Sequence, residues 1–359
     1  MQIIKPGINL NFIGKRHIAF GLSGLMILAT IFLLILRSGP NYGVDFSGGV
    51  LIQAKLPEKT APAEIKEALR PVQLERSIVQ EFGEEDQSEY LIRIRETDVE
   101  LEGLSDRVET ALKDKFSGGV EMRRVEMVGA KVGEDLRQKA LFAIFYALLF
   151  IAIYISGRFE LKWAMSIVMA LSLAFVVYIG SRLGASVTWL ILIALVVTIS
   201  LCWFLNLKYA LGAIIALVHD VTITVGAFAL MDKEISLSII AAFLTIVGYS
   251  LNDTIIVFDR IRENSRRFRR RPFAETINTS INETLSRTVL TSTTTLIVVL
   301  ALFILGGGVI HDFAFALLVG VLTGTYSSIF VASPVLLIWE GRSTTQKSRM
   351  IRGNPDSVF

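Results

Sequence analysis

Two aspartates lie inside stretches of chain otherwise apolar enough to cross a lipid bilayer. Asp253 follows Asn252 within Gly248–Asn264, and Asp220 follows His219 within an apolar run over about residues 209–230. An ionisable side chain at bilayer depth costs about 2.5–3.5 kcal/mol on insertion scales, so such groups face a bundle interior or a wet cavity and mark ion or proton paths. Interhelical hydrogen bonds average only about 0.6 kcal/mol, too little to offset that cost, so packing is a poor account of either carboxylate. Arg287 opens a later apolar run, with Thr288, Thr291, Ser292 and Thr295 on the same side of the helix. A cation that approaches or leaves a desolvated carboxylate changes its proton occupancy, so Arg287 moving against Asp253 would be a minimal proton switch. Histidine titrates near neutrality, which leaves His219 open as a proton carrier or as a neutral interhelical donor. The hydroxyl stripe is equally open between glue and function.

These residues need helices that span and pack. Of 359 residues, 52% are hydrophobic, and the excess is concentrated in runs of about 20 residues, the length that crosses a bilayer. Thr245, Tyr249, Asn252 and Asp253 follow i, i+4, i+7, i+8 spacing, which predicts one stripe facing protein. Asp220 falls about 18 Å into its span, near the midplane, and Asp253 falls nearer one end. Gly320-x-x-x-Gly324 and Ser327-Ser328 in the last span supply small residues for close helix approach. Cys202, the only cysteine, sits in an apolar run and excludes a cysteine-built metal cage. No metal or other cofactor is expected, and no Walker-type phosphate loop is present to use ATP.

Charge orders the chain across the membrane. Lys5, Lys15 and Arg16 precede the first span, over Phe20–Leu36, and Arg260, Arg262, Arg266, Arg267, Arg269, Arg270 and Arg271 follow Phe258. By the positive-inside rule both flanks, together with the C-terminal tail, are cytoplasmic. No A-x-A-type cleavage site follows the first run, so it reads as a retained span rather than a signal peptide. Residues 40–135 carry 21 acids against 13 bases and fall outside. Within them Gly49–Leu56, Ser77–Phe82, Tyr90–Arg95 and Gly119–Val128 read as strands, and Pro62–Leu69 and Val99–Phe116 as helices. The order β-α-β-β-α-β predicts a ferredoxin-like module, which by itself implies no activity. Asp45, between Gly43 and Gly48-Gly49, raises phosphate or metal binding, but a turn entering a strand explains it more simply.

Gly248–Asn264, Gly43-Val44-Asp45-Phe46-Ser47-Gly48-Gly49 and Val218-His219-Asp220-Val221 together closely resemble the SecF family, the smaller membrane subunits of the bacterial SecD–SecF protein-export complex. The resemblance covers about residues 10–340. It implies a bacterial inner-membrane, multi-pass subunit that works with SecD, using the proton-motive force to help move polypeptides through the SecYEG channel. YajC is a further implied partner; nucleic acid is not. The proton-relay candidates read from the residues themselves are Asp253, Asp220, Arg287, Asn252 and His219, and the resemblance marks Gly43, Asp45, Phe46, Gly48 and Gly49 as the family motif of the external domain.

Such proteins usually have six spans. Here Leu161-Lys162-Trp163-Ala164-Met165 is echoed 46 residues later by Leu207-Lys208-Tyr209-Ala210-Leu211, and Ala170-Leu171 by Ala216-Leu217. A partial duplication would add a hairpin over about 161–206 and give about eight spans without changing the sidedness of the later ones. The positions matching His219 and Asp220 hold Leu173 and Ala174, so the extra hairpin reads as peripheral. The expected organisation is 1–39 with the first span, 40–135 external, 136–340 helix bundle and 341–359 cytoplasmic tail. Two other functions compete. A proton-coupled exporter of small molecules or lipids, of the resistance-nodulation-division type, would share these residues. An aspartyl-protease dyad would need G-x-G-D, whereas Asp253 follows Ser250-Leu251-Asn252 and Asp220 follows Leu217-Val218-His219, so no enzyme is expected.

Overall fold

The computed structural model describes residues 9–340 apart from 76, 83–87, 95–102, 117–118, 161–162 and 184–185. Lys5, the tail at 341–359, the Leu161-Lys162 start of the repeat and the expected helix start at Val99 lie outside the described residues. The chain runs through α1 (Arg16–Leu36), the single turn α2 (Val44–Ser47), β1 (Gly49–Lys55), α3 (Pro62–Ala68), β2 (Ile78–Phe82), β3 (Glu89–Ile94), α4 (Leu104–Lys115) and β4 (Glu121–Val128). The bundle comprises α5 (Ala130–Glu160), α6 (Trp163–Arg182), α7 (Val187–Phe204), α8 (Lys208–Leu230), α9 (Leu237–Arg267), α10 (Phe273–Leu305) and α11 (Gly308–Ser327), together with α1. Beyond Ser327 the last helix passes through a π turn at Ser328–Ala332 and continues to Glu340.

The sheet module has the expected order. Its antiparallel sheet reads β2-β3-β1-β4. Alternation places Val50, Ile52 and Ala54 of β1 and Ile92 and Ile94 of β3 on one face, where they bury against Ile65 and Leu69 from the α3 side and Val108 and Leu112 of α4. The register shifts at Gln53/Ala54 against β4, a bulge that bends the sheet. Its opposite face overhangs the nearby ends of the bundle helices and borders a cleft of about 1150 Å³.

Among the described residues seven helices are long and apolar enough to cross a membrane; the eighth expected span, α7, has a shorter apolar stretch, Trp189–Phe204. The α6–α7 hairpin packs against α5 and α8, with Met169, Leu173, Ala194 and Cys202 buried in that seam. Leu173 is buried and Ala174 exposed, so the position matching Asp220 points away from the bundle centre.

The expectation of a cytoplasmic loop after Phe258 is corrected. Most of the arginines there stand on helix: α9 runs unbroken to Arg267 and α10 begins at Phe273, leaving a turn at 268–272. Helix continues where the apolar pattern stops because polar pairs take over. Arg260 bonds Glu263 one turn on (2.7 Å) and Glu283 on α10 (2.5 Å), and buried Asn264 donates to Ser280 (3.0 Å) and Glu283 (2.7 Å). At 31 and 33 residues these helices reach about 46–50 Å, well past the roughly 30 Å of hydrocarbon. The projecting hairpin also holds the N-terminal segment, whose Leu10 and Phe12 N–H groups donate to Asn282 (2.8 Å) and Asn278 (2.9 Å). Residues 9–13 and the arginine turn therefore share one side, and the sheet module lies at the other.

Cysteines introduced at Glu58 and at Arg270 should label from opposite sides of the membrane with an impermeant reagent; same-side labelling would refute this arrangement. Deleting residues 161–206 should leave a chain that inserts with unchanged sidedness, checked by the same labelling. A reversed pattern at Arg270 would make the hairpin part of the topology rather than an addition to it.

Candidate functional site

Asp220 is fully buried on α8, and its oxygens meet three side-chain partners. Ser250 Oγ of α9 (2.6 Å) and Ser327 Oγ of α11 (2.7 Å) donate to Oδ2, and His219 Nδ1 lies 2.9 Å from Oδ1. The other ring nitrogen, His219 Nε2, is 3.0 Å from Ser23 Oγ on α1, which lies 3.1 Å from the Tyr326 hydroxyl, and Tyr326 donates to Ala19 O (2.8 Å). The Tyr326 ring stacks on His219, centroids 5.9 Å apart. One carboxylate thus ties α1, α8, α9 and α11 through a polar chain whose members are each satisfied, the condition under which buried polar groups stabilise a fold. His219 is the interhelical bridge of this chain, bonded on both sides of its ring.

Such close approach needs missing side chains. A Cβ on Gly324 would come 2.9 Å from the Cβ of Ser250, and one on Gly320 would overlap the Ile246 side chain, so the Gly-x-x-x-Gly face of α11 lies flush on α9. The π turn begins directly after Ser327. Ser333 Oγ bonds Ser328 O across it (2.8 Å), and Ala332 O sits where a Cβ on Gly212 would come within 3.1 Å. An inserted turn beside a site re-aims side chains there.

Asp253 contrasts with Asp220. It is 1% exposed, yet neither carboxylate oxygen has a hydrogen-bond partner among the described residues. It lies one turn past Ser250 and faces α10, where the Ser292 hydroxyl approaches it as a donor without the geometry of a formed hydrogen bond and the charge of Arg287 reaches it. Ser292 Oγ is shared with Thr325 Oγ1 (2.7 Å), and the buried Thr288 Oγ1 and Tyr249 hydroxyl also lack partners among the described residues. Arg287 is exposed and has no side-chain hydrogen-bond or ion-pair partner among the described residues.

The predicted stripe on α9 is divided. Asp253 is buried and Tyr249 half-buried, but Thr245 and Asn252 are exposed, because the inward face is centred on Ser250, Asp253 and Thr254. On α10, Thr288 and Ser292 are buried and Thr291 and Thr295 half-buried. The residues missed from sequence are Ser23, Ser250 and Tyr326. Ser23 carried a signal, as a polar residue in the apolar α1, but its partner is 196 positions away. Asp45 is not only a turn residue: its Oδ2 accepts the N–H of Leu237 at the start of α9 (2.8 Å). Among the described residues no group of three His, Cys, Asp or Glu side chains could hold a metal.

Comparison with known proteins agrees with the motifs. The chain matches the family described as protein export membrane protein SecD/SecF, C-terminal, over residues 107–182 and 174–342, and the SecD/SecF GG motif over 33–56. The two C-terminal-family stretches overlap over residues 174–182, within α6. The chain is similar to the protein translocase subunit SecF of Magnetococcus marinus, 41% identical over 345 residues and 95% of each chain. It is also similar to SecF of Vibrio alginolyticus, 40% identical over 94% of this chain and 91% of that one. The crystal structure of SecDF from Thermus thermophilus, a translocon-associated membrane protein, aligns with a TM-score of 0.70 and 29% identity. The alignment covers 95% of this chain and 40% of that one, so the chain spans well under half of SecDF.

The two aspartates should separate in one stability assay. Asp220→Ala strands three partners and should cost about 2–4 kcal/mol. It should visibly lower the temperature at which purified protein unfolds in detergent, and Gly324→Leu should do likewise by overpacking. Asp253→Asn keeps an acceptor oxygen for the nearby Ser292 hydroxyl and should unfold like the wild type. Equal losses at both aspartates would contradict the distinction.

Proposed function

The chain belongs to the SecF family of protein translocase subunits, and from that premise we propose that it couples the proton-motive force to the movement or release of secreted polypeptides. It does so with SecD at the SecYEG translocon, with YajC as an accessory, in the bacterial inner membrane and with both termini cytoplasmic. The observation that carries the proton half is the bonding contrast between the two buried carboxylates. Asp220 has both oxygens committed to a fixed network, so protonating it would disturb contacts among four helices. Asp253 has neither committed. A buried carboxylate with no fixed donor can gain or lose a proton with little rearrangement of this chain, and Arg287 on the adjacent helix can bias the exchange by moving.

The distribution of polar groups supports a partner alongside. Thr245, Asn252 and Arg287 are exposed on neighbouring faces of α9 and α10, and a Cβ on Gly248 would meet nothing within 4 Å. A guanidinium and an amide facing acyl chains are costly, so in this reading SecD covers that face and places its own groups opposite Asp253. Export itself rests on the family; the bundle supplies the proton site, and the sheet module stands on the side to which cargo emerges. The orientation proposed is supported by the arginine-rich turn sharing a side with the N-terminal segment.

The test is export of a reporter protein into inverted vesicles containing matched amounts of assembled complex, with and without an imposed proton gradient. Asp253→Asn keeps size and shape but cannot titrate, so it should export at the gradient-free rate under both conditions. Arg287→Lys keeps the charge but loses the planar fork and should give a partial defect. Full gradient stimulation in Asp253→Asn would move the proton site elsewhere.

A further inference from the structure

The turn that joins α8 to α9 connects the helix of Asp220 to the helix of Asp253, and nearly every residue in it is tied to a different part of the molecule. Asp232 pairs with Arg37 at the outer end of α1. Lys233 pairs with Asp312 on α11. Glu234 pairs with Arg93 of β3, whose side chain is 6% exposed. Ile235 donates its N–H to Asn41 O (2.7 Å) and accepts from Gly43 N (2.9 Å), making a parallel bridge between Tyr42 and Ile235. Leu237, the first residue of α9, donates its N–H to Asp45 Oδ2.

The last of these ties has a specific mechanical meaning. The first N–H groups of a helix have no acceptor within it, and the residue before α9, Ser236, makes no side-chain cap. Asp45 supplies the cap from 192 positions away and sets a carboxylate against the positive end of the helix dipole. The one-turn helix that carries Asp45 is itself anchored. Phe46 is buried against Phe228, Ile239 and Phe243, and the backbone beside it rests on α5, where a Cβ on Gly133 would come 3.0 Å from Gly48 N and 3.2 Å from Phe46 O. Tyr42 packs edge-on to Phe46 at 6.0 Å. Burial pushes its hydroxyl above the ordinary tyrosine range, against the pull of Arg137, so the segment stays uncharged there.

We propose that the Gly43–Gly49 segment is a latch that makes the external domain move as one body with the α8–α9 turn, and that Asp45 is the positioning residue that fixes the outer end of the Asp253 helix to that domain. Leu237 and Asp253 lie on one continuous helix about 24 Å apart, so a shift or tilt of α9 at its proton site reaches the sheet module through this cap. Arg93–Glu234 is the second attachment, from the sheet itself. The chain enters and leaves the module through α1 and α5, and α5 also packs on the latch, but the backbone bridge, the Asp45 cap and the Arg93–Glu234 pair lead to the turn between the two carboxylate helices. The functional half of this inference rests on Asp253 as the proton site; the latch does not.

Two measurements on the full complex with SecD test it. Hydrogen exchange should rise about tenfold in the peptide spanning Ser236–Ile240 in Asp45→Ala, stay near wild type in Asp45→Asn, which keeps an acceptor oxygen, and stay unchanged in β1 and β3. Unchanged exchange in Asp45→Ala would overturn the latch. For the second, a Cβ on Gly43 would lie 3.6 Å from Ser236 Cα, so Gly43→Cys with Ser236→Cys, in a Cys202→Ser background, can be joined by oxidation. If domain and turn move together, the joined protein keeps its gradient-stimulated export ratio, whereas Asp45→Ala with Glu234→Gln loses it. Stimulation that vanishes on joining and returns with dithiothreitol would show that the two must part and would refute the proposal. If the wild-type complex shows no stimulation, the proton reading fails and the exchange comparison alone decides the latch; should Asp45→Ala not assemble, Glu234→Gln carries both measurements.

Discussion

A carboxylate taken wholly out of water must find donors, and at Asp220 that requirement shapes the bundle. Three side chains on three helices converge on it: His219 beside it on α8, Ser250 on α9 and Ser327 on α11. Serine side chains are short, so the backbones that carry them must come close, and Gly320 and Gly324 are the residues that let α11 do so. His219 then passes the constraint outward to Ser23 on α1. Helix association in lipid has no hydrophobic drive, since acyl chains are as apolar as leucine; packing of small residues and buried polar bonds must supply it. The central helices meet both conditions at one place. The α6–α7 hairpin, with Leu173 and Ala174 at the 46-residue offset from His219 and Asp220, has no such hub among the described residues and packs at the edge.

The same bundle leaves Asp253 without partners among the described residues, one turn farther along α9. Ser250 and Asp253 are three residues apart and face different neighbours, one the fixed network and the other α10. In the proposed reading, a rigid hub beside an uncommitted carboxylate suits a helix that responds to a proton. The first fixes where α9 sits at rest, and the second gives a proton or a guanidinium something to act on. Motion of α9 would then be resisted at Ser250 and transmitted at Leu237, its capped outer end.

Much of this was legible in sequence because the cost of burying charge is local. Two aspartates and a histidine in apolar runs announce themselves, and the strands of the module follow from alternation to within a residue or two. Helix ends were less legible. Apolar runs mark where lipid ends, not where a helix ends, and α9 and α10 continue on Arg260–Glu283 and Asn264–Ser280 pairs that no hydropathy pattern contains. Spacing predicted that Asn252 and Asp253 share a face. The inward face is too narrow for both, and its centre was set by Ser250, whose importance is invisible without Asp220 across the gap. Asp45 read as a turn residue because nothing local distinguishes a turn aspartate from one that caps a helix 192 positions later.

Exposed polar groups are the remaining constraint on how the chain can exist in a membrane. An amide at Asn252 and a guanidinium at Arg287 stand on the outer faces of α9 and α10, the second on the same helix as Ile297 and Val298, whose exposed side chains suit lipid. Arg287 lies near the end of the apolar part of α10 that faces the arginine-rich turn and can snorkel toward headgroups, but Asn252 is too short to do so. An unpaired amide at that depth is tolerable only against protein or trapped water. In the proposed reading the open face of α9 is thus the surface that lipid cannot satisfy, and the helix carrying the titrating carboxylate is also the helix completed by the partner subunit. Proton occupancy at Asp253 and contact with that partner then act on the same rigid element, whose far end is held by the external domain.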